Sequence, residues 1–231
     1  LDRAAPTTDD AFAEHGELVL YNYPAELAHG DGRALPAHEF LGSTRRAEAV
    51  DAEVEEWIAG AGEYAYVSFG SFLSVRGDVL QRVARALSQL GMRAAIATGS
   101  TPIAELGALP DGWLVRDYLP QVRLLGDARL AVTHGGNNSV TEAVGQGVPL
   151  LVLPFSTDQF AGAAAIERTG LGRALDPNGA SAAELAGALE SVRDIGAEQR
   201  ALLERIAVGQ QRRPGPAIAY EALKTGRSAT S

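Results

Sequence analysis

Two hydrophobic periods alternate along the chain from about residue 64 onwards. Strands are predicted at residues 65–69, 92–98, 112–118, 130–133, 150–153 and 172–176. The apolar runs AAIAT and LLVL among them show no alternation, which is typical of strands buried on both faces. The 3.6-residue period of helices predicts helices at 75–90, 120–125, 139–146, 158–169, 181–192, 196–208 and 214–224. This alternation predicts an α/β fold with a parallel sheet and helices on both faces.

The first 60 residues show a weaker pattern. Residues 17–23 (ELVLYNY) predict a short strand, and residues 44–60 predict a short helix. Residues 24–43 contain Pro, Gly and His without a clear period, so we interpret them as an extended connection. Residues 1–16 are polar and rich in alanine, and we expect them to be loose or to hold a short helix.

The stretch from Tyr118 to Gln159 contains a glycine corner, His134-Gly135-Gly136-Asn137-Asn138-Ser139, between a predicted strand and a predicted helix. The first turn of a helix has backbone N–H groups without partners, and the helix dipole adds partial positive charge there. Gly135 and Gly136 let a ligand approach the backbone closely. The corner therefore predicts a site for a phosphate or a pyrophosphate.

Other polar stretches are predicted to converge on this corner, because ligands of parallel α/β sheets bind at the carboxyl ends of the strands. The stretches at such ends are Gly70-Ser71, Thr98-Gly99-Ser100, Tyr118, His134-Gly135 and residues 155–159. They predict one continuous binding rim.

Residues at the corner have a functional and a structural interpretation. His134 can donate to a phosphate oxygen, or it can be a partly buried histidine bonded to backbone. Ser139 and Glu142 match a capping box, S-x-x-E. Alternatively, Asn138 and Ser139 donate to phosphate, and Glu142 accepts from a ribose hydroxyl.

The flanking residues also have two interpretations each. Asp158 can cap the helix that follows, or it can grip vicinal sugar hydroxyls together with Gln159. Tyr118 can stack on a nucleobase, or it can be a core aromatic residue that ends a strand. Ser71 can offer its hydroxyl and N–H to the same phosphate, although Gly-Ser after a strand is common.

Composition limits the function classes. Apolar residues make up 46% and charged residues 21% of the 231 residues, which fits a globular protein with a buried core. The formal net charge of -9 without a basic block argues against a nucleic-acid partner. The chain has no cysteine and no apolar run long enough for a transmembrane segment, which fits a cytoplasmic enzyme.

Several motifs are absent from the sequence. It has no P-loop motif, no G-x-G-x-x-G fingerprint and no Asp/Glu/His cluster with the spacing of metal ligands. We therefore expect neither a metal nor a cofactor. Leu1 opens the chain and Met92 is its only methionine, so we expect a piece of a longer protein.

The segment from Tyr118-Leu119-Pro120-Gln121 to Asp158-Gln159 resembles the donor-binding signature of the UDP-glycosyltransferase-like family, glycosyltransferase family 1 with the GT-B fold. It is most similar to bacterial members that glycosylate antibiotics and other natural products. About 40 residues match in order and spacing, and weaker similarity runs from about Glu17 to the last helix.

The resemblance implies a role for each matching position. Tyr118 would stack on the base, Gln121 would lie beside base and ribose, and Glu142 would bind the ribose. Contacts to the diphosphate are implied for Ser71, His134, Gly136, Asn138 and Ser139, and contacts to the donor sugar for Asp158 and Gln159; Gly135 would also belong to the donor site. The family often has Trp where Tyr118 stands, and tyrosine also stacks on a base, with less area. Many members have Trp at the position of Asn137, next to the sugar, so the resemblance leaves the sugar undecided.

The resemblance also implies domain organisation and mechanism. Residues 1–48 would be the end of an N-terminal acceptor domain and the linker, residues 49–224 a Rossmann-like donor domain, and residues 225–231 a flexible tail. The catalytic base would belong to the acceptor domain, so this chain alone would be inactive. The full enzyme would be an inverting, metal-independent hexosyltransferase that uses UDP or TDP sugars and a small natural-product acceptor. A GT-B nucleotide-sugar epimerase and a non-catalytic binding module are the alternatives.

Overall fold

The structure, a computed structural model, describes residues 18–28, 37–43, 48–70 and 76–225. A small parallel sheet pairs β1 (Val19–Tyr21) with β2 (His38–Phe40). The main sheet consists of six parallel strands, which are β3 (Tyr64–Ser68), β4 (Arg93–Ala97), β5 (Leu114–Arg116), β6 (Leu130–Thr133), β7 (Leu150–Val152) and β8 (Gly172–Ala174).

Eight α-helices accompany these strands in the described part of the chain. They are α1 (Ala52–Ala61), α2 (Gly77–Gln89), α3 (Gln121–Leu125), α4 (Asn137–Gly145), α5 (Asp158–Thr169), α6 (Ala182–Arg193), α7 (Ala197–Arg212) and α8 (Gly215–Thr225). Short 3-10 helices occupy Ala25–Leu27 and Ile103–Leu106.

The core lies on both faces of the main sheet. Because side chains alternate along a strand, Tyr64 and Tyr66 of β3 face one core cluster while Ala65 and Val67 face the other. The first cluster includes residues of α1, α3, α4, α5 and α7. The second includes residues of α2 and α6. The predicted parallel sheet with helices on both faces is confirmed.

The strand order is β5-β4-β3-β6-β7-β8, so β3 and β6 are neighbours at the centre of the sheet. The chain builds outwards from β3 to one edge, then returns to the centre at β6 and builds towards the other edge. The boundary between β3 and β6 is a topological switch point, where the loops after these two strands diverge and leave a crevice. The glycine corner follows β6 at this point.

The connection predicted over residues 24–43 is more regular than expected. Residues 25–27 form a 3-10 turn, and β2 pairs with β1 in the register Val19↔His38 and Tyr21↔Phe40. This part of the prediction was wrong. Strand β2 is only three residues long, which is too short to show a hydrophobic period, and it is stabilised by its pairing with β1. Residues 29–36 lie outside the described part.

The helix predicted at residues 44–60 begins later. Residues 48–50 are not helical, and 44–47 lie outside the described part. Helix α1 begins at Ala52 because Asp51 caps it, with Oδ1 accepting from the N–H groups of Glu53 at 3.1 Å and Val54 at 3.2 Å. Val50 lies before the cap and is 86% exposed. The Asp51 cap was a signal that the sequence contained.

The structure contradicts the capping interpretation of Ser139 with Glu142 and that of Asp158. Helix α4 begins at Asn137 with Gly136 as N-cap, so Ser139 is already inside the helix and forms no capping box with Glu142. Helix α5 begins at Asp158 with Thr157 at the N-cap position. A true capping box occurs at Ser181 and Glu184 in front of α6.

The segment around β1 and β2 packs against helices α8 and α5. Gly215 at the start of α8 lies close to the backbone of Leu41, where a Cβ atom would be 2.7 Å from the carbonyl oxygen. Arg168 of α5 donates to the carbonyl groups of Leu27 and Ala28 at 2.8 and 2.9 Å. These contacts hold the segment around β1 and β2 against the main body.

Candidate functional site

A cleft of about 700 Å³ opens at the carboxyl ends of the central strands. Residues from several separate loops line it, and those predicted from the sequence are Tyr118, Gln121, His134, Gly136, Asn138, Ser139, Asp158 and Gln159. The cleft also receives Tyr66, Ser68, Gly70, Asp117, Asn137, Ser156 and Thr157. The predicted rim is therefore one surface in the folded chain.

Three predicted residues stand apart from this lining. Gly135 and Glu142 are buried behind it. Ser71 lies outside the described residues, although Gly70 and Ser68 of the same turn line the cleft. Ser68 Oγ accepts from the N–H of Gly70 at 3.3 Å, which helps to shape this turn.

His134 follows β6 and is enclosed by two glycines. A Cβ atom at Gly70 would be 3.0 Å from Cε1 of the ring, and one at Gly136 would be 2.5 Å from Nε2. Burial lowers the pKa of His134, and the charge of Asp158 opposes this shift. The ring is therefore neutral near pH 7 and can donate one N–H into the cleft.

Helix α4 points its N-terminus into the cleft. Gly136 occupies the N-cap without a side-chain cap, and the first intrahelical bond runs from Val140 N to Gly136 O at 3.1 Å. The N–H groups of Asn137, Asn138 and Ser139 precede that bond, so the helix itself offers them no acceptor. Together with the helix dipole, they form an anion-binding arrangement beside His134.

Gly135 shapes the corner from behind rather than lining it. Its φ is +89°, and a Cβ atom there would be 2.7 Å from Val152 Cγ1 and 2.9 Å from Gln159 O. From the other side, a Cβ atom at Gly162 of α5 would be 2.5 Å from Gly135 O. Two glycines thus let α5 pack directly on the loop, which brings the start of α5 to the cleft.

Gln121 and Glu142 form a pair at the inner wall. Gln121 Nε2 donates to Glu142 Oε2 at 2.5 Å, and Tyr66 OH donates to Gln121 Oε1 at 3.3 Å. Burial raises the pKa of Tyr66, so its phenol remains a donor. Glu142 is only 5% exposed, whereas Gln121 reaches the cleft surface. The carboxamide is therefore the outer member of the pair.

Tyr118 stands at one end of the cleft with 69% of its surface exposed. Its neighbour Leu119 is only 1% exposed and anchors the turn in the core. Asp117 Oδ1 accepts from the N–H of Tyr118 at 2.8 Å. Tyr118 is thus not a core residue, and its ring is available to a planar ligand. Asp117 was missed from the sequence, although its position beside Tyr118 at a strand end was a usable signal.

The start of α5 forms the other end of the cleft. Gln159 is 5% exposed, and its Oε1 accepts from the N–H groups of Phe155 at 2.8 Å and Ser156 at 3.1 Å. Thr157 has a φ of 37°, which is strained for a β-branched residue. Its Oγ1 donates to Asp158 Oδ1 at 3.0 Å. This turn fixes a carboxylate and a carboxamide side by side.

Residues 6–201 match the family described as UDP-glucoronosyl and UDP-glucosyl transferase. The chain belongs to this family. It is 32% identical over 177 residues to the oleandomycin glycosyltransferase of Streptomyces antibioticus, covering 75% of this chain and 41% of that protein. It is also 32% identical over 165 residues to UDP-glucuronosyltransferase 2A3 of Cavia porcellus, covering 68% of this chain and 31% of that protein. The chain thus spans less than half the length of these relatives.

Solved structures agree on the fold. The glycotransferase of kitacinnamycin superimposes with a TM-score of 0.75 at 25% identity, over 90% of this chain and 54% of that one. The calicheamicin glycosyltransferase has a TM-score of 0.75 at 24% identity, over 94% of this chain and 54% of that one. The fold is the Rossmann-like α/β fold of GT-B glycosyltransferases. Within the described residues, no helix is both long and apolar enough to span a membrane.

Proposed function

We propose that this chain is the donor-binding portion of an inverting, metal-independent glycosyltransferase. Its donor would be a UDP or TDP sugar, and its acceptor a small natural product. Residues 49–224 would form the donor domain, and residues 1–48 would be the end of the acceptor domain of the same protein together with the interdomain linker. Family membership and the name of the Streptomyces antibioticus relative support this assignment.

The order of groups along the cleft supports a nucleotide-sugar donor. The exposed ring of Tyr118 offers a stacking surface at one end, and the paired carboxylate and carboxamide of Asp158 and Gln159 lie at the other. The α4 N-terminus and His134 line the same cleft. Base, diphosphate and sugar would be bound in this order.

The uncapped N-terminus of α4 beside His134 is the observation that carries the proposal. In the reaction, the acceptor oxygen attacks the anomeric carbon from the face opposite the diphosphate, and the bond from that carbon to the diphosphate oxygen breaks. Negative charge develops on the departing diphosphate. Fixed N–H donors already aimed at that position stabilise the charge without reorganisation.

The acceptor's proton requires a base, and we assign none to residues 1–231. His134 is enclosed between Gly70 and Gly136 at the anion corner, a position suited to donating to the leaving group rather than accepting a proton. The base is therefore proposed to lie in the acceptor domain. Incubation of residues 1–231 with donor and acceptor should give no glycoside. The full protein, which includes the acceptor domain, should form the glycoside under the same conditions.

Calorimetric titration with UDP, TDP and GDP tests donor binding directly. We expect UDP or TDP to bind with a Kd in the micromolar range, on the order of 10⁻⁶ to 10⁻⁴ M, and GDP to bind more weakly. His134→Ala should weaken diphosphate binding, whereas the affinity for the nucleoside without phosphate should not change. If none of the three diphosphates binds, the proposed function is overturned.

A further inference from the structure

The segment that follows β1 reaches the anion-binding corner. Asn22 comes directly after Tyr21, the last residue of β1. Its backbone carbonyl accepts a hydrogen bond from Asn137 Nδ2 at 2.8 Å, and its side-chain Nδ2 donates to Asn138 Oδ1 at 3.5 Å. Asn22 therefore contacts the first two residues of α4, which lie 115 and 116 positions later in the sequence.

The side-chain bond determines which end of the Asn138 amide turns away from Asn22. A side-chain amide has an acceptor at its oxygen and donors at its nitrogen. With Oδ1 held by Asn22, Nδ2 is the end left for the cleft that Asn138 lines. Within the described part of the chain, Asn138 Nδ2 has no hydrogen-bond acceptor. An anion is recognised by this donor end and repelled by the oxygen end.

We propose that Asn22 is a positioning residue for the anion site, which acts through Asn138. By donating to Oδ1, it holds the amide with its N–H groups toward the diphosphate. The proposal deepens the donor-binding function and rests on it. It also means that the donor corner is completed by the segment around β1, outside the donor domain proposed at residues 49–224.

The same segment offers a matched control. Arg168 Nη2 donates to the carbonyl groups of Leu27 and Ala28, which anchors the chain five residues beyond Asn22 without touching Asn138. Arg168 does not line the cleft. Arg168→Met removes the donor to Leu27 and Ala28 and changes neither Asn22 nor Asn138. It therefore separates a general loss of anchoring from a loss of amide orientation.

The experiment is a double-mutant cycle on UDP affinity, measured by calorimetry on the purified chain. The proteins are the wild type, Asn22→Ala, Asn138→Ala, the double variant and Arg168→Met, each checked by thermal melting for a folded state. The bond is long and exposed, so we expect Asn22→Ala to weaken UDP binding by about 3- to 10-fold. In the Asn138→Ala background, Asn22→Ala should cause no further loss of UDP affinity. Uridine should bind the wild type and Asn22→Ala equally.

The outcomes separate the two levels of the proposal. If the wild type binds neither UDP nor TDP, the donor-binding function fails, and the role of Asn22 fails with it. If the wild type binds but Asn22→Ala is unchanged, or if its loss adds fully to that of Asn138→Ala, only the positioning role is overturned. An equal loss in Arg168→Met would reduce Asn22 to a general anchor. A loss confined to Asn22→Ala and dependent on Asn138 establishes the role.

Discussion

Gly136 approaches His134 so closely that a Cβ atom at Gly136 would lie 2.5 Å from Nε2 of the ring. The backbone at Gly136 has a φ of -60° and a ψ of 143°, which any residue adopts easily. A glycine is therefore needed here for space and not for conformation. The contact ties the N-cap of α4 to the orientation of the histidine.

Gly136→Ala should displace the His134 ring while leaving the fold intact. Because the methyl group would lie only 2.5 Å from the present position of Nε2, the ring must move and can no longer donate from there. We expect UDP affinity to fall by about tenfold or more, the loss of one charge-assisted hydrogen bond. Calorimetry measures the affinity, and the NMR signals of the ring report the displacement.

Gly187→Ala is the matched control for that substitution. Gly187 is an exposed residue of α6, and a Cβ atom there would meet nothing within 4 Å. Alanine favours the helix over glycine by about 1 kcal/mol, so the free energy of unfolding should rise and UDP affinity should not change. A similar loss of affinity in both variants would contradict the steric explanation for Gly136.

Thr157→Gly should increase stability and weaken sugar recognition at the same time. The φ of 37° is strained for threonine, and glycine relieves about 1 kcal/mol of this strain. Glycine also removes the hydroxyl that donates to Asp158 Oδ1, so the carboxylate loses a fixed orientation. Thermal melting and calorimetry should show a raised Tm, unchanged UDP affinity and weaker binding of the nucleotide sugar.

Thr157→Ser and Thr157→Ala separate the effect of backbone strain on stability from the effect of the hydroxyl on sugar binding. Serine keeps the hydroxyl, so the affinity for the nucleotide sugar should stay near that of the wild type. Alanine loses the hydroxyl but keeps the strained φ, so sugar binding should weaken without a gain in stability. Equal sugar affinity in the glycine, alanine and serine variants would exclude the Thr157–Asp158 bond from sugar binding.

Acid should destabilise the wild type more than it destabilises His134→Asn. Burial lowers the pKa of His134 in the folded chain below its ordinary value of about 6.5. As the pH falls below about 6.5, the unfolded chain binds a proton that the folded chain still refuses, so the stability falls until the folded pKa is reached.

The difference between the two proteins isolates this histidine. Urea unfolding at several pH values gives the free energy of unfolding of both proteins. The difference between them should be constant above neutrality, and at lower pH the free energy of unfolding of the wild type should fall relative to that of His134→Asn. A difference that does not change with pH would mean that His134 titrates alike in both states. A bound nucleotide sugar should reduce the effect, since its diphosphate favours the protonated ring.

Gln121→Ala should abolish discrimination between UDP and dUDP. Gln121 reaches the cleft with Glu142 behind it, so the pair is suited to read a ribose hydroxyl through the carboxamide. We expect the wild type to bind UDP about 5- to 10-fold more tightly than dUDP, because one hydrogen bond to a neutral group contributes about that much. Calorimetry with both nucleotides measures the preference. A wild type that binds both equally would remove Gln121 and Glu142 from ribose recognition and would favour a TDP donor.

Much of the fold was predictable because its signals are local. The boundaries of β6 and α5 were predicted residue for residue, since an apolar run and a helical period need only their own residues to be recognised. The sequence also predicted that Tyr118, His134 and Asp158 lie at one rim, because parallel strands place their carboxyl ends at one edge of the sheet. The start of α4 was predicted two residues late, because Gly136 gives no side-chain capping signal.

By itself, the sequence determined the parallel sheet, the glycine corner after β6 and the chemistry of its donors. Only the tertiary structure decided which partners those groups meet. Glu142 pairs with Gln121 from another element instead of capping its own helix, and Asn22 reaches Asn138 across 116 positions of sequence. Periodicity and capping depend on neighbours along the chain, whereas the choice of a hydrogen-bond partner depends on which elements the closed core brings into contact.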